Sequence, residues 1–221
     1  SRPGMPKRPP GGICDKGEDG VIKTGARHIA SLNDGRAVYL DGARVPDVTA
    51  SPAYRRVVRS IGALYDFQAA PEQQALMTYA AEGGVPANRI WQLPTSLAEL
   101  TERRRALEAW FELHGGFMGR TPDHVASCIA GMRMGIEVFE AYDPKRAAAL
   151  DAYYRYARDN DLYLTYVIIN PQADRSKGAS QQQGEFFTAG VVGRDASGIT
   201  LRGAKMLATG SFMRSEERRV G

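Results

Sequence analysis

Apolar residues recur at helical spacing over the first two thirds of the chain and then give way to strand-like runs. Residues 54–67 carry Val57, Val58, Ile61, Leu64 and Tyr65 on one face, which predicts an amphipathic helix. Ser96 opens another: Ser96 and Glu99 make a capping-box pair, and Leu100, Leu107, Trp110 and Phe111 form the predicted buried stripe until Gly115-Gly116 ends it. Thr121 then reads as a cap, with Pro122 at the first helical position. Val125, Ile129, Met132, Ile136 and Phe139 follow at 4-3-4-3 spacing, predicting one core helix to about Ala141. Asp143-Pro144 restarts the pattern, and a further helix runs to about Arg158. Shorter pieces complete this part. They are a helix over 24–33, a hairpin of 38–40 and 43–45 about Asp41-Gly42, and a helical piece over 72–79 that Glu82-Gly83-Gly84 closes.

After Asn160-Asp161 the character changes. Residues 162–169 are a near-continuous apolar, β-branched run, which predicts a strand. Two more strands are expected over 185–193 and 199–208, split by Asp195-Ala196-Ser197-Gly198, with a polar, Gln-rich loop over 177–184. Helices first and strands later imply an α+β fold: a helical N-terminal domain over 21–161 with a small hairpin, then the start of a β domain over 162–213. Residues 1–20 are Pro- and Gly-rich without periodicity and are expected to be a disordered leader. Residues 214–221 (Arg-Ser-Glu-Glu-Arg-Arg-Val-Gly) have no hydrophobic pattern and read as an adapter-derived scar, so the natural chain is expected to continue past residue 213.

Composition narrows the classes. Hydrophobic residues are 43% and charged residues 24% of 221, as in an ordinary globular protein, and no apolar run approaches the length of a membrane helix. The N-terminus lacks the apolar centre of a signal peptide, so the chain reads as cytoplasmic. The net charge of +4 is scattered, and its one run, Arg103-Arg104-Arg105, reads as a solvated helix face and not as a nucleic-acid site. Cys14 and Cys128 make neither a disulfide framework nor a metal cluster, and Cys128 is expected as a buried free thiol. His28, His114 and His124 share no metal spacing. There is no P-loop, no Gly-x-Gly-x-x-Gly helix start and no nucleophile elbow.

The candidate chemistry lies in two stretches. Gly119-Arg120-Thr121-Pro122-Asp123-His124 puts an arginine and a histidine at a helix start, where unpaired N–H groups and the dipole favour an anion. An imidazole there can accept a proton from a phenol or donate its N–H to an oxygen. The same residues also fit a plainer reading, in which Arg120 caps the preceding helix and His124 faces solvent. Tyr166 sits mid-run among apolar neighbours, as a core tyrosine or as a site hydroxyl. Asn170-Pro171-Gln172 ends that run with two amides, followed by Asp174-Arg175. Such amides serve ordinary turns or bind the edge of a planar heterocycle. Thr209 is another strand-end hydroxyl with the same two readings.

These motifs resemble the 4-hydroxyphenylacetate 3-monooxygenase family. The resemblance rests on Gly119-Arg120-Thr121-Pro122-Asp123-His124, Asn170-Pro171-Gln172-Ala173-Asp174-Arg175, Gly203-Ala204-Lys205-Met206-Leu207-Ala208-Thr209, and Tyr39-Leu40-Asp41-Gly42-Ala43-Arg44-Val45 with Asp47-Val48-Thr49, in collinear order over roughly 22–213. It implies an acyl-CoA-dehydrogenase-like architecture whose C-terminal four-helix bundle is absent from this chain. It implies the oxygenase component of a two-component system, in which FAD arrives as FADH2 from a separate NAD(P)H-dependent flavin reductase and O2 is the co-substrate. The resemblance further implies that a C4a-hydroperoxyflavin hydroxylates a small phenol ortho to its hydroxyl and that the full-length protein is a homotetramer. By position, Arg120 matches the arginine that contacts substrate and flavin. His124 falls where the best-known members have tyrosine, and Tyr166 where they have histidine. That exchange points to a sister branch acting on another phenol, such as a natural-product or chlorinated phenol. Tyr166, Asn170, Gln172, Arg175 and Thr209 match flavin-contacting positions. The same fold family includes 4-hydroxybutyryl-CoA dehydratases, which use FAD and an iron–sulfur cluster and are one alternative. An inactive truncated fragment is another.

Overall fold

Helices and a tight aromatic interior fill the first part of the chain. The computed structural model describes residues 22–178, 181–182, 187–195 and 198–215, so the leader expected over 1–20 and residues 216–221 of the expected scar lie outside it. Helix α1 spans Gly25–Ser31, capped by the Thr24 side chain. Strands β1 (Val38–Leu40) and β2 (Ala43–Val45) form the expected antiparallel hairpin. Asp41 and Gly42 take φ of 49° and 79° at its turn, as a two-residue hairpin of this twist requires. Helix α2 (Arg55–Ala69) buries Val58, Ile61, Leu64, Tyr65 and Gln68, while Val57 faces outward.

The expected helical piece over 72–79 is a turn of 3-10 helix (Pro71–Gln73), a short α3 (Gln74–Met77) and then strand β3 (Thr78–Ala80), which pairs antiparallel with β4 (Pro86–Asn88). A 3-10 turn, Arg89–Trp91, follows and carries two of the most deeply buried side chains, Ile90 and Trp91. In helix α4 (Leu97–Leu113) the Ser96 hydroxyl accepts from Glu99 N at 3.2 Å. Glu99 reaches back to Thr95 N (2.6 Å), one residue earlier than the usual capping box. The buried stripe of α4 is Ala106 and Trp110, one turn apart, whereas Leu100 and Phe111 lie off it and are exposed.

The helix expected from Thr121 to Ala141 is two helices, α5 (Asp123–Met134) and α6 (Ile136–Tyr142), broken at Gly135. Helix α5 begins after Pro122, without a side-chain cap. Its buried face is Ala126 and Ala130, because small residues let it sit closely on the 89–91 turn and on α7 (Pro144–Asp159). The bulkier Met132 is left exposed. Cys128 is exposed as well, which corrects the buried thiol expected from the sequence.

Helix α2, strand β4 and the 89–91 turn converge on Asp161. This residue has a left-handed φ of 44° and is buried. Its carboxylate accepts from Gln68 Nε2 (2.5 Å), Asn88 Nδ2 (3.0 Å) and Trp91 Nε1 (3.3 Å), and Lys23 Nζ donates to its carbonyl at 3.0 Å. Burial pushes the Asp161 carboxyl above its usual range, against the Lys23 charge and these hydrogen bonds.

The run over 162–169 is not a strand. Leu162 and Tyr163 turn into the helical core, and the remainder makes only an isolated antiparallel bridge between Ile169 and Met206. An extended run becomes a strand only beside a partner, and the described residues supply none along most of it. Strands β5 (Gly190–Asp195) and β6 (Gly198–Arg202) pair antiparallel with an irregularity at Val191/Gly193; β6 stops well short of Ala208. The chain then returns to the helical core. Arg36 Nη1 donates to Phe212 O (2.9 Å) and Arg36 Nη2 to Arg214 O (2.8 Å). Ser215 Oγ accepts from Tyr163 N (2.6 Å) and Lys23 Nζ (2.9 Å), so Arg214 and Ser215, set aside with the tail on sequence pattern, are folded in. Among the described residues no helix is long and apolar enough to cross a membrane.

Candidate functional site

A small cleft lies where the start of α5, the run after Tyr163 and the segment before Gly210 meet. Arg120, His124, Tyr166 and Thr209 all line it, so residues from three separate parts of the sequence share one wall. Leu164, Ile168 and Leu207 supply its apolar surface. The enclosed space is about 10 Å³, room for about one water molecule.

Within the cleft His124 and Tyr166 form a pair. Their rings stack with centroids 5.4 Å apart and planes at 27°, and His124 Nε2 is 3.2 Å from the Tyr166 hydroxyl. The tautomer of His124 decides which of the two donates. The Arg120 guanidinium carbon lies 5.5 Å from the Tyr166 ring centroid, placing a permanent cation over its π face. Thr121 Oγ1 hydrogen-bonds the Asp123 carboxylate, and Ser127 Oγ donates to Asp123 O (2.6 Å), which ties the opening turn of α5 together. Leu207 is held at φ 60°, a strained conformation for a side chain of its size, next to the Met206–Ile169 bridge.

Asn170, Gln172 and Arg175 do not line the cleft. They lie on the turn beyond Ile169, with Gln172 and Arg175 exposed. Gln182 closes that turn: its Oε1 accepts from Ala173 N (3.1 Å) and Asp174 N (3.0 Å), and its Nε2 donates to Asp174 O (2.7 Å). Asp174 forms an ion pair with Lys177 at 3.3 Å. Sequence reasoning passed over Leu164, Leu207 and Tyr163. The Tyr163 hydroxyl donates to Arg120 O at 2.7 Å, and only its place in an apolar run next to Asp161 could have marked it.

A helical domain that leads into a small antiparallel β segment, with the cleft at their junction, defines an acyl-CoA-dehydrogenase-like protein. More narrowly, the chain belongs to the 4-hydroxyphenylacetate 3-hydroxylase family, whose N-terminal model matches residues 24–217. It is 36% identical over 189 residues to the 4-hydroxyphenylacetate 3-monooxygenase oxygenase component of Geobacillus sp. (strain PA-9), a match that covers 85% of this chain and 38% of that protein. It superposes, with a TM-score of 0.75 and 32% identity, on the crystal structure of an oxygenase component of 4-hydroxyphenylacetate 3-monooxygenase complexed with FAD and 4-hydroxyphenylacetate; the match covers 83% of this chain and 38% of that one. The chain therefore spans well under half the length of these relatives. A 4-hydroxybutyryl-CoA dehydratase from N. maritimus has a TM-score of 0.73 at 21% identity, covering 88% of this chain and 39% of that one, and shares the fold alone.

Proposed function

We propose that this chain forms the phenol-facing and flavin-facing N-terminal part of an FADH2-dependent aromatic monooxygenase oxygenase component, which hydroxylates a phenol ortho to its hydroxyl. The observation that carries the reading is the Arg120–Tyr166–His124 stack: a cation, a phenol and an imidazole facing one apolar cleft. That donor set suits an aromatic substrate with an ionisable hydroxyl beside a planar, anionic cofactor. The enclosed space is too small for either molecule, so these residues supply one wall of the site. Arg120, Tyr166 and Thr209 would hold FAD from that wall, and Asn170, Gln172 and Arg175 would contact it from the adjoining turn. Reduced FAD supplies the two electrons that divide O2 between the new ring hydroxyl and water.

The protein's own part is binding and proton control. Arg120 stabilises the phenolate form of the substrate, which is the electron-rich form that an electrophilic oxygen attacks. His124 and Tyr166, already in hydrogen-bond contact, take and return the phenolic proton. Tyr166 stands where the best-known members have histidine, and His124 where they have tyrosine, an exchange that suits a branch acting on another phenol. Leu164, Ile168 and Leu207 exclude water beside the ring. In this reading the partners are a separate NAD(P)H-dependent flavin reductase and further copies of the full-length chain as a homotetramer.

The test is to assay the full-length protein with FAD, a flavin reductase, NAD(P)H and a panel of para-substituted phenols. Catechol formation that depends on the reductase is expected. A protein that purifies with iron–sulfur absorbance and oxidises no phenol overturns the reading.

A further inference from the structure

We propose that Tyr163 is the positioning residue of the cleft. Its hydroxyl, wedged between the Arg120 carbonyl and the Gly210 turn, sets where Arg120 stands relative to Tyr166 and Thr209.

The Tyr163 ring is buried in the helical core, edge-on to His28 with centroids 6.0 Å apart. Its hydroxyl lies behind the cleft wall, where it donates to Arg120 O at 2.7 Å. On the other side the Gly210 backbone packs directly against that oxygen. A Cβ at Gly210 would lie 2.7 Å from it, and Gly210 has a φ of 76°, so both space and conformation demand glycine. Thr209 precedes this turn, and Leu164, Thr165 and Tyr166 follow Tyr163 directly in the chain. One side chain therefore touches the Arg120 wall and the Thr209 wall and is covalently continuous with the Tyr166 wall. Burial, with the nearby Asp123 charge, pushes the Tyr163 hydroxyl up to about 12, which keeps it a donor at any working pH.

This inference rests on the phenol-hydroxylating reading above, and two readouts separate their failures. In the full-length protein, Tyr163→Phe keeps the ring and deletes the donor. Tyr154→Phe is the matched control, because its buried hydroxyl donates to Trp91 O (2.5 Å) and lines no part of the cleft. Loss of one such hydrogen bond is expected to raise the phenol KM about fivefold in Tyr163→Phe, with a smaller change in kcat. Tyr154→Phe should leave KM unchanged while lowering the melting temperature as much as Tyr163→Phe does. Independently of turnover, the NMR signal of a labelled His124 imidazole should move in Tyr163→Phe and stay in place in Tyr154→Phe. An unmoved His124 signal, an unchanged KM, or equal changes in both variants overturns the proposal. If the wild-type protein hydroxylates no phenol, the functional reading falls and the His124 signal alone decides the role of Tyr163.

Discussion

Ile61 and Ile90 are 0% exposed, whereas Ile168 and Ile199 are 50% and 47% exposed, although all four sit in apolar stretches that pattern alone assigns to an interior. The first pair belongs to the helical region, which closes on itself around Trp91, Trp110, Tyr65 and the Asp161 hub. The second pair belongs to the segment between Tyr166 and Thr209, where, among the described residues, a two-stranded hairpin and two isolated bridges leave Val167, Val191, Val192 and Leu201 exposed too. Two strands alone are marginal in water. The difference lies in the partners within reach and not in residue type: α2, α4, α5 and α7 each find another helix or turn to cover them. The cleft sits on the seam between these regions, with His124 and Arg120 on the well-packed side and Thr209 and Leu207 on the sparsely packed one.

The contrast breaks most visibly in the helical core. Trp110→Ala removes a buried indole whose Nε1 donates to Leu64 O at 3.1 Å, and should cost about 3–5 kcal/mol of unfolding free energy, read by denaturant titration. A loss under about 1 kcal/mol would mean that the two regions are packed alike.

On the seam, Arg120→Ala in the full-length protein should lower phenol hydroxylation about a hundredfold. Stability should change by no more than about 0.5 kcal/mol, since the side chain's one hydrogen bond among the described residues is a weak one to Gly119 O at 3.5 Å. Unchanged product formation with reduced FAD supplied would remove Arg120 from the site.

A third experiment uses pH. His28 is buried against Tyr65, and neither ring nitrogen has a hydrogen-bond partner among the described residues. Burial first, and then the charges of Lys23 and Arg36, lower it from 6.5 to about 2. Above pH 6.5 both folded and unfolded chains hold it neutral, and its contribution is complete. As pH falls below 6.5 the unfolded chain takes up a proton that the folded chain refuses, so stability declines toward pH 2 by up to about 1.4 kcal/mol per pH unit. His28→Gln should flatten that slope between pH 6 and about 4. An unaltered slope would show that another group carries the acid sensitivity.

The smallest effect is expected in the β segment. Ile199→Ala in this chain should change stability by less than about 0.5 kcal/mol, against the several kcal/mol usual for a buried isoleucine. If the full-length protein loses about 2 kcal/mol or more from the same substitution, something outside the described residues covers this face.

Much of the helical region was legible because its signals are local. The Ser96 cap, the Asp143-Pro144 start, the Asp41-Gly42 turn and the stripe of α2 each depend on residues within a turn of one another. Reading failed where a distant partner decides. The expected strand over 162–169 depended on a neighbouring strand. The buried faces of α4 and α5 keep the expected Trp110 but otherwise use Ala106, Ala126 and Ala130, because closely packed helices leave room there only for small side chains. The same holds for the site. Arg120 and His124 could be placed together from their spacing, but nothing local brings Tyr166 to within 3.2 Å of His124 across 42 residues.

The sequence by itself determined several helix starts, among them those at Ser96 and Asp143, the first hairpin, the motifs that mark the family, and Arg120, His124, Tyr166 and Thr209 as candidates. Propensity, capping and turn chemistry act over a few residues, so one dimension is enough to read them. Only the tertiary structure decided that these four share a wall while Asn170, Gln172 and Arg175 stand outside it, and that Tyr163 joins the walls. Those facts depend on how far the chain returns to itself at Gly210 and Asp161. That return is set by burial and by hydrogen bonds between residues tens to hundreds of positions apart, such as Lys23 with Ser215.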